Sequence, residues 1–264
     1  MVESNIWEGI GTLVCDLDGV VYLGDEGIAG SGAALRSIVD AGVAVVFATN
    51  NSTKTPEQVA AKIAATAGFA ADPATIITSA QVTAARLAGQ VETAFVVGGA
   101  AIDAALADVG IATTDAWQDA GAVVVGLDTH ITYDKLSSAT LALRNGALFH
   151  ATNTDSTYPT PRGLLPGGGV MVGALAIASG RDPVVSGKPQ PAMAEHIALR
   201  AVGQVLVVGD RPETDVALAF GAGWASALVL SGVTRSLQEV PSDLAPNAVV
   251  GSLADLAGLL TVDR

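Results

Sequence analysis

The stretch Thr12-Leu13-Val14-Cys15-Asp16-Leu17-Asp18-Gly19 runs from an apolar segment straight into two acids and a glycine. Side chains two apart on an extended chain point to the same side. A strand over Thr12–Cys15 therefore delivers Asp16 and Asp18 together at its carboxyl end, where parallel α/β sheets place their ligands. Gly19 lets the backbone turn sharply beside them. Asp and Gly after a strand also serve simply as a turn and a helix cap, so this stretch alone supports both uses.

The alternation of short apolar runs with helical segments continues along the chain. Strand-like runs cover Val43–Ala48, Ala94–Val97, Ala122–Val125, Ala147–Ala151, Gln204–Val208 and Ala225–Leu230. Helical patterns lie at 33–41, 56–67, 81–89, 100–109, 133–145, 169–180, 190–202 and 215–221. Thr55-Pro56-Glu57 opens one helix with Pro at its first position, and Gly42 and Gly68 close others. Strands alternating with helices indicate a parallel α/β architecture. Half of the 264 residues are apolar, yet aromatics make up only 4%, so the core is filled by Ala, Val, Leu and Ile. The chemically suggestive residues fall in two blocks, near 16–52 and near 187–215. An α/β insertion over 82–182, between a first core part at 1–81 and a second at 183–264, accounts for that spacing.

The second block repeats the motif of the first. Leu206-Val207-Val208-Gly209-Asp210 is an apolar strand with an acid at its tip, and Asp215 follows five residues later. If the two strands are neighbours, four carboxylates converge, and like charges at close range raise one another's pKa. A hard divalent cation with oxygen ligands resolves the repulsion, and magnesium fits a few carboxylates plus waters and a phosphate. Thr49-Asn50-Asn51-Ser52 ends another buried strand with hydroxyl, amide and backbone N–H donors. Ser186-Gly187-Lys188-Pro189 presents one of the chain's few lysines ahead of a helix, and an ammonium there can neutralise a phosphoryl oxygen.

Several function classes are disfavoured. A net charge of −13 without a basic run argues against nucleic acid. No apolar stretch reaches the roughly 20 residues needed to cross a membrane. The Met1–Asn5 segment lacks a basic-then-apolar signal pattern, and the single Cys15 excludes an intramolecular disulfide, so a cytoplasmic location is expected. His130, His150 and His196 show no zinc spacing, and Trp7, Trp117 and Trp224 are too dispersed for a stacking platform. Gly98-Gly99 is weak as a dinucleotide signal. The run Arg162–Gly169 lacks the Lys-Ser/Thr of a phosphate loop and reads first as a turn re-entering the core, second as an anion cradle.

Taken in order, Asp16-Leu17-Asp18-Gly19-Val20-Val21-Tyr22-Leu23-Gly24, Thr49-Asn50-Asn51-Ser52, Gly187-Lys188-Pro189 and Gly209-Asp210-Arg211-Pro212-Glu213-Thr214-Asp215 resemble the haloacid dehalogenase (HAD) superfamily. More narrowly they are similar to its subfamily IIA, the NagD and p-nitrophenyl phosphatase branch. The resemblance implies a Rossmann-like three-layer parallel-sheet core with an inserted α/β cap of the C2 type. The span of about 140 residues from Asn50 to Lys188 leaves room for that cap. It further implies a Mg2+-dependent phosphatase in which Asp16 forms an aspartyl-phosphate and Asp18 serves as general acid and base. Magnesium would be held by the Asp16 carboxylate, the Asp18 carbonyl and Asp210, with Asp215 nearby. Thr49, the Asn50 backbone and Lys188 would bind the phosphoryl group. The partner would be a small phosphorylated metabolite: a sugar phosphate, glycerol phosphate, phosphoglycolate or nucleotide. Asp128, Asn153 and Asp155, in loops of the insertion, are candidate contacts to the leaving group. An exposed cap surface is a candidate homodimer contact. A phosphomutase or phosphotransferase on the same core, and a non-catalytic phospho-ligand-binding protein, are the alternatives.

Overall fold

Short runs rich in Val, Leu and Ala form the strands, and the Ala-rich segments between them form the helices. The computed structural model describes residues 6–160 and 163–261. Met1–Asn5 and Arg162, considered above, lie outside the described residues. In chain order the strands are β1 (Ile10–Cys15), β2 (Tyr22–Leu23), β3 (Glu26–Gly27), β4 (Ala44–Thr49), β5 (Ile76–Thr78), β6 (Thr93–Val97), β7 (Ala112–Thr113), β8 (Ala122–Val125), β9 (Leu148–Ala151), β10 (Thr157–Thr160), β11 (Gly163–Pro166), β12 (Val184–Val185), β13 (Gln204–Gly209), β14 (Ala225–Val229) and β15 (Ala248–Val250). The α-helices are α1 (Ser31–Asp40), α2 (Pro56–Ala67), α3 (Ser79–Leu87), α4 (Ala100–Asp108), α5 (Tyr133–Arg144), α6 (Gly168–Ser179), α7 (Pro191–Ala198), α8 (Ala217–Ala222) and α9 (Leu253–Gly258). Among the described residues no helix is long and apolar enough to cross a membrane.

By its internal contacts the chain divides into two compact units. The larger comprises Met1–Thr49, Pro56–Ile77 and Met193–Arg264, the smaller Asn50–Thr55 and Thr78–Ala192. These borders differ from the 81/82 and 182/183 expected above, for local reasons. Helix α3 starts early on a Thr78–Gln81 capping box and packs on α4 through Ala80, Ala84 and Leu87. Strand β12 pairs with β9, Val184 beside His150 and Val185 beside Ala151, which keeps the chain in the smaller unit beyond 182.

The larger unit is built on one sheet of order β15-β14-β13-β1-β4-β5. β1 pairs in parallel with β13 on one side and β4 on the other, Cys15 lying beside both Val208 and Phe47. The chain fills the sheet from β1 through β4 to β5, then returns to fill β13, β14 and β15 on the other side. The boundary between β1 and β13 is thus the topological switch point, where open α/β sheets form their ligand crevice. Leu13, Cys15 and Leu17 join Phe47, Leu206 and Val208, with Leu35 and Ile38 of α1 and Leu253 and Leu256 of α9, in one buried cluster. Burial of each such side chain contributes roughly 1.5–3 kcal/mol, and because alternate residues of β1 take that face, Asp16 is turned away from it. Trp7 Nε1 donates to the Leu256 carbonyl at 3.0 Å and ties the N-terminal turn to α9.

Helix α7 stops at Ala198, short of the expected 202. Thr12 Oγ1 donates to the Val202 carbonyl and accepts from its N–H, both at 2.8 Å, which draws this segment out of the helix and towards β13. The β2–β3 hairpin, too short to carry a pattern, begins three residues after Gly19. It lies on α2: a side chain on Gly27 would overlap the Thr66 carbonyl, and Lys62 Nζ sits 3.9 Å from the Tyr22 ring centroid.

The smaller unit has a second sheet, order β12-β9-β8-β6-β7, in which neighbouring strands run parallel. Alternation divides its faces: Phe95, Val97, Val123 and Val125 pack under α5 and α6, while Ala94 and Val124 pack under α3 and α4. The run expected to turn back into the core is instead β11 of an antiparallel hairpin with β10. At the start of α6, Gly167 N–H and Gly169 N–H donate to the carbonyls of Ser156 and Asp155 at 2.9 and 3.0 Å. Those two amides are engaged by backbone, which argues against the anion cradle. His150 of β9 is buried, and its Nδ1 finds no hydrogen-bond partner among the described residues. Burial, with the Arg86 charge adding to it, pushes this imidazole down to about 4.

Candidate active site

Asp16 and Asp210 stand at the tips of the two strands that meet at the switch point. Asp16 N–H donates to the Val208 carbonyl at 2.9 Å, extending the β1–β13 ladder by one rung and fixing the acid at the sheet's edge. Asp215 follows in a single π-helical turn, Pro212–Val216, a local widening often found at functional sites. One carboxylate oxygen from each of Asp16, Asp210 and Asp215 lies within 4.8 Å of the other two. Asp210 and Asp215 are each 1% exposed and Asp16 is 8% exposed. Asp18 is half-buried, forms a bridge with Tyr22, and its carboxylate is outside this group of three.

The donor set is oxygen only and triply anionic, which suits a hard divalent cation. The chain is also shaped around the acids by glycines. A Cβ on Gly19 or on Gly232 would come within 2.6 Å of Asp210 Cγ, and one on Gly209 would overlap Asp215. Gly19 has φ +85, a conformation that other residues adopt only under strain. Asp210 Oδ2 accepts from Val233 N–H at 2.6 Å, and Ser231 Oγ donates to the Gly19 carbonyl at 2.7 Å, so the loop after β14 closes over Asp210. Asp215 Oδ2 accepts from Arg211 N–H and Thr214 Oγ1, both at 3.2 Å. Sequence reasoning passed over the loop 231–234, although Ser231-Gly232 after an apolar strand is the same punctuation as Asp18-Gly19. Thr49 is buried at the end of β4, which pairs with β1.

The remaining sequence candidates belong to the smaller unit and form a network of their own around Asn50. Asn50 Oδ1 accepts from Lys188 N–H at 2.7 Å, and its Nδ2 donates to the Lys188 carbonyl at 3.0 Å. The same Nδ2 donates to Asp155 Oδ1 and Oδ2 at 3.1 and 3.3 Å. The Asn50 carbonyl accepts from Ser79 Oγ and from Asn153 Nδ2, each at 2.7 Å. Asn153 Oδ1 in turn accepts from Asp155 N–H at 3.1 Å. Lys188, 4% exposed, begins the Lys188–Pro189 cis peptide. Engagement of the Asn50 side chain with the main chain of residue 188 was not foreseeable from residue types. The one available hint is Gly187, where a Cβ would come within 2.5 Å of Asn50 Oδ1.

Asp128 is not brought into this network. Its Oδ1 accepts from His130 N–H at 2.9 Å and its Oδ2 pairs with Lys135 Nζ at 2.6 Å, so both oxygens are used to tie its own loop to α5. Asn153 and Asp155 lie side by side in the loop after β9, their polar groups directed at Asn50 rather than left open.

Known proteins resemble this one in sequence and fold over nearly the whole chain. A family profile described as haloacid dehalogenase-like hydrolase matches residues 13–112, and a HAD-hydrolase-like profile matches 185–256. The 5'-nucleotidase YutF of Bacillus subtilis is 37% identical over 246 residues, covering 91% of this chain and 94% of its own. The crystal structure of glycerol phosphate phosphatase Rv1692 from Mycobacterium tuberculosis, in complex with magnesium, superposes with a TM-score of 0.87 at 37% identity, covering 97% of this chain and 80% of that one. NagD from Escherichia coli gives a TM-score of 0.84 at 32% identity, covering 94% and 98%. On these matches, spanning both blocks of acids and the insertion between them, the chain belongs to the haloacid dehalogenase-like hydrolases, in the NagD and p-nitrophenyl phosphatase branch.

Proposed function

We propose that the protein is a magnesium-dependent phosphatase that hydrolyses small phosphate monoesters through an aspartyl-phosphate on Asp16. The observation that carries this reading is the buried triad of Asp16, Asp210 and Asp215, three carboxylates held together at the switch point in a glycine-lined cradle. Asp16, the Asp18 carbonyl and Asp210 would hold the ion, with Asp215 beside them, and Mg2+ would supply positive charge there. A carboxylate oxygen of Asp16 bonds to phosphorus as the ester P–O bond breaks, and Asp18 gives its proton to the departing alkoxide. Asp18, now ionised, takes a proton from water as that water attacks the aspartyl-phosphate, releasing inorganic phosphate and regenerating Asp16. Thr49, the Asn50 backbone and Lys188 bind the phosphoryl group; the lysine supplies local positive charge that an acidic protein otherwise lacks.

The similar proteins act on a nucleotide and on glycerol phosphate by their names, so the substrate class here is a small phosphorylated metabolite, with selection assigned to the Asn153–Asp155 loop. A cytoplasmic location agrees with a single, buried Cys15 that forms no disulfide. Self-association through α6 is supported by its exposed apolar residues Val170 and Ile177, and sedimentation would test it. The function is tested by phosphate release from p-nitrophenyl phosphate and a metabolite panel with Mg2+. Asp16→Asn is expected to fold normally and lose nearly all turnover; a fully active variant would refute the nucleophile.

A further inference from the structure

We propose that the Asn50 carboxamide is a positioning group that fixes the main chain carrying Lys188, and that Asp155 holds the carboxamide in its working orientation. An Asn side chain has one acceptor oxygen and two N–H donors. Here Oδ1 takes the Lys188 N–H, while Nδ2 serves the Lys188 carbonyl and the Asp155 carboxylate. Reversing the amide would set its NH2 against an N–H and its oxygen against three acceptors, so only one orientation is compatible with the surroundings. A lysine side chain is a flexible four-carbon stem, and where its ammonium dwells depends on how firmly its root is held. That root is gripped at both its N–H and its carbonyl by one side chain.

The grip is itself secured. The Asn50 carbonyl is bound by Ser79 and Asn153, and Asn153 also takes the Asp155 N–H. Gly187 leaves no side chain between the partners, since a Cβ there would come within 2.5 Å of both Asn50 Oδ1 and the Thr152 carbonyl. The loop 153–155 is therefore coupled to the main chain of Lys188 through the Asn50 amide. A loop read above as selecting the leaving group also sets the phosphate-binding lysine. This inference rests on the proposal that Lys188 binds the phosphoryl group.

The test compares Asn50→Ala, Asp155→Ala and Asp155→Asn, in the full chain, with Lys188→Ala alongside. Phosphate release, inhibition by inorganic phosphate and thermal unfolding are measured for each. A misplacement on the order of 1 Å costs about 100-fold in turnover, so Asn50→Ala should lose about 30- to 100-fold in kcat and bind inorganic phosphate correspondingly more weakly. Asp155→Ala should move both quantities the same way by about tenfold, and Asp155→Asn, which keeps an acceptor oxygen, should recover most of that loss. The two Asp155 variants decide the question even if Asn50→Ala fails to fold. Variants that unfold at lower temperature yet keep kcat and phosphate inhibition within twofold, while Lys188→Ala is inactive, would overturn the positioning role alone. An active Lys188→Ala would overturn the lysine's assignment to the phosphoryl group, and this inference with it.

Discussion

Replacing Gly232 by alanine adds one methyl group at the point where the site has least room for it. The new Cβ would stand within 2.6 Å of Asp210 Cβ and Cγ, against the ~3.5 Å of an ordinary carbon–carbon contact. Either the Asp210 side chain or the loop 231–234 must therefore retreat by about 1 Å. Both routes break the 2.6 Å hydrogen bond from Val233 N–H to Asp210 Oδ2. A hydrogen bond to a charged group contributes about 1.5–3 kcal/mol, and forcing a methyl into a packed site adds about 1–3 kcal/mol. The expected destabilisation is thus about 2.5–6 kcal/mol, reaching only the lower end of the ~5–15 kcal/mol that typically holds a fold together. The larger consequence falls on the ion. Disturbing groups that orient metal ligands typically lowers affinity by about 10–100-fold, so the Mg2+ concentration for half-maximal phosphate release should rise by that factor. Circular dichroism verifies that the variant is folded, and Mg2+ titration of activity reads the shift. A folded Gly232→Ala enzyme with a half-saturating Mg2+ concentration within twofold of wild type would refute the cradle argument.

Chelation should abolish phosphate release and added Mg2+ restore it; because three buried carboxylates repel one another without the ion, Mg2+ at 100 times its Kd should also stabilise the fold by about 2.7 kcal/mol, and an unfolding temperature indifferent to Mg2+ would contradict the site. The His150 imidazole, held down to about 4 by burial and by Arg86, takes up a proton in the unfolded chain near its ordinary value of 6.5 but resists it when folded. The unfolded state thus binds more protons between those values, so this group's contribution to instability appears below pH 6.5 and grows to about 3 kcal/mol near pH 4. Urea unfolding at pH 7 and pH 4.5 should show a smaller acid loss for His150→Leu than for wild type, and equal losses would discount the buried imidazole. Gly173, in the middle of α6, has open space at its Cβ position. Gly173→Ala should therefore stabilise by about 0.5–1 kcal/mol through helix propensity, read as a higher unfolding temperature; a lower one would mean that the helix needs that glycine.

Much of the larger unit could be read in advance because its strands are long enough to carry a pattern. β1, β4, β13 and β14 each appear within a residue or two of their expected borders, and their neighbours in the sheet follow from the order of connections. Elements of two or three residues, β2, β3, β5, β7, β12 and β15, fall below the length at which alternation is visible. Asp16 and Asp210 were legible for a related reason, each being the acid that ends an apolar run, and Asp215 was picked out by its place five residues after Asp210. What escaped was the use made of backbone. The Asn50 amide was expected among phosphate ligands only through its main chain, yet its side chain bonds the N–H and carbonyl of residue 188. Such a contact depends on a peptide group that any residue would supply, so no residue type announces it. The pairing of Asp128 with Lys135 was equally hidden, since an acid at a strand tip has the same appearance whatever it pairs with.

The adjacency of β1 and β13 has a bearing on how the protein comes into being. Cys15 lies beside Val208, so the strand that carries Asp16 acquires one of its two neighbours only after about 190 further residues have been made. At ~5–20 residues per second, that delay is about 10–40 s on the ribosome. Throughout it, Asp16 has no Asp210 or Asp215 to share an ion with, and one flank of an apolar strand stays open to pairing with other chains. A nascent chain is thus chemically silent but vulnerable to aggregation, and a message broken anywhere before codon 204 should yield an inert, chaperone-dependent product rather than a weak phosphatase.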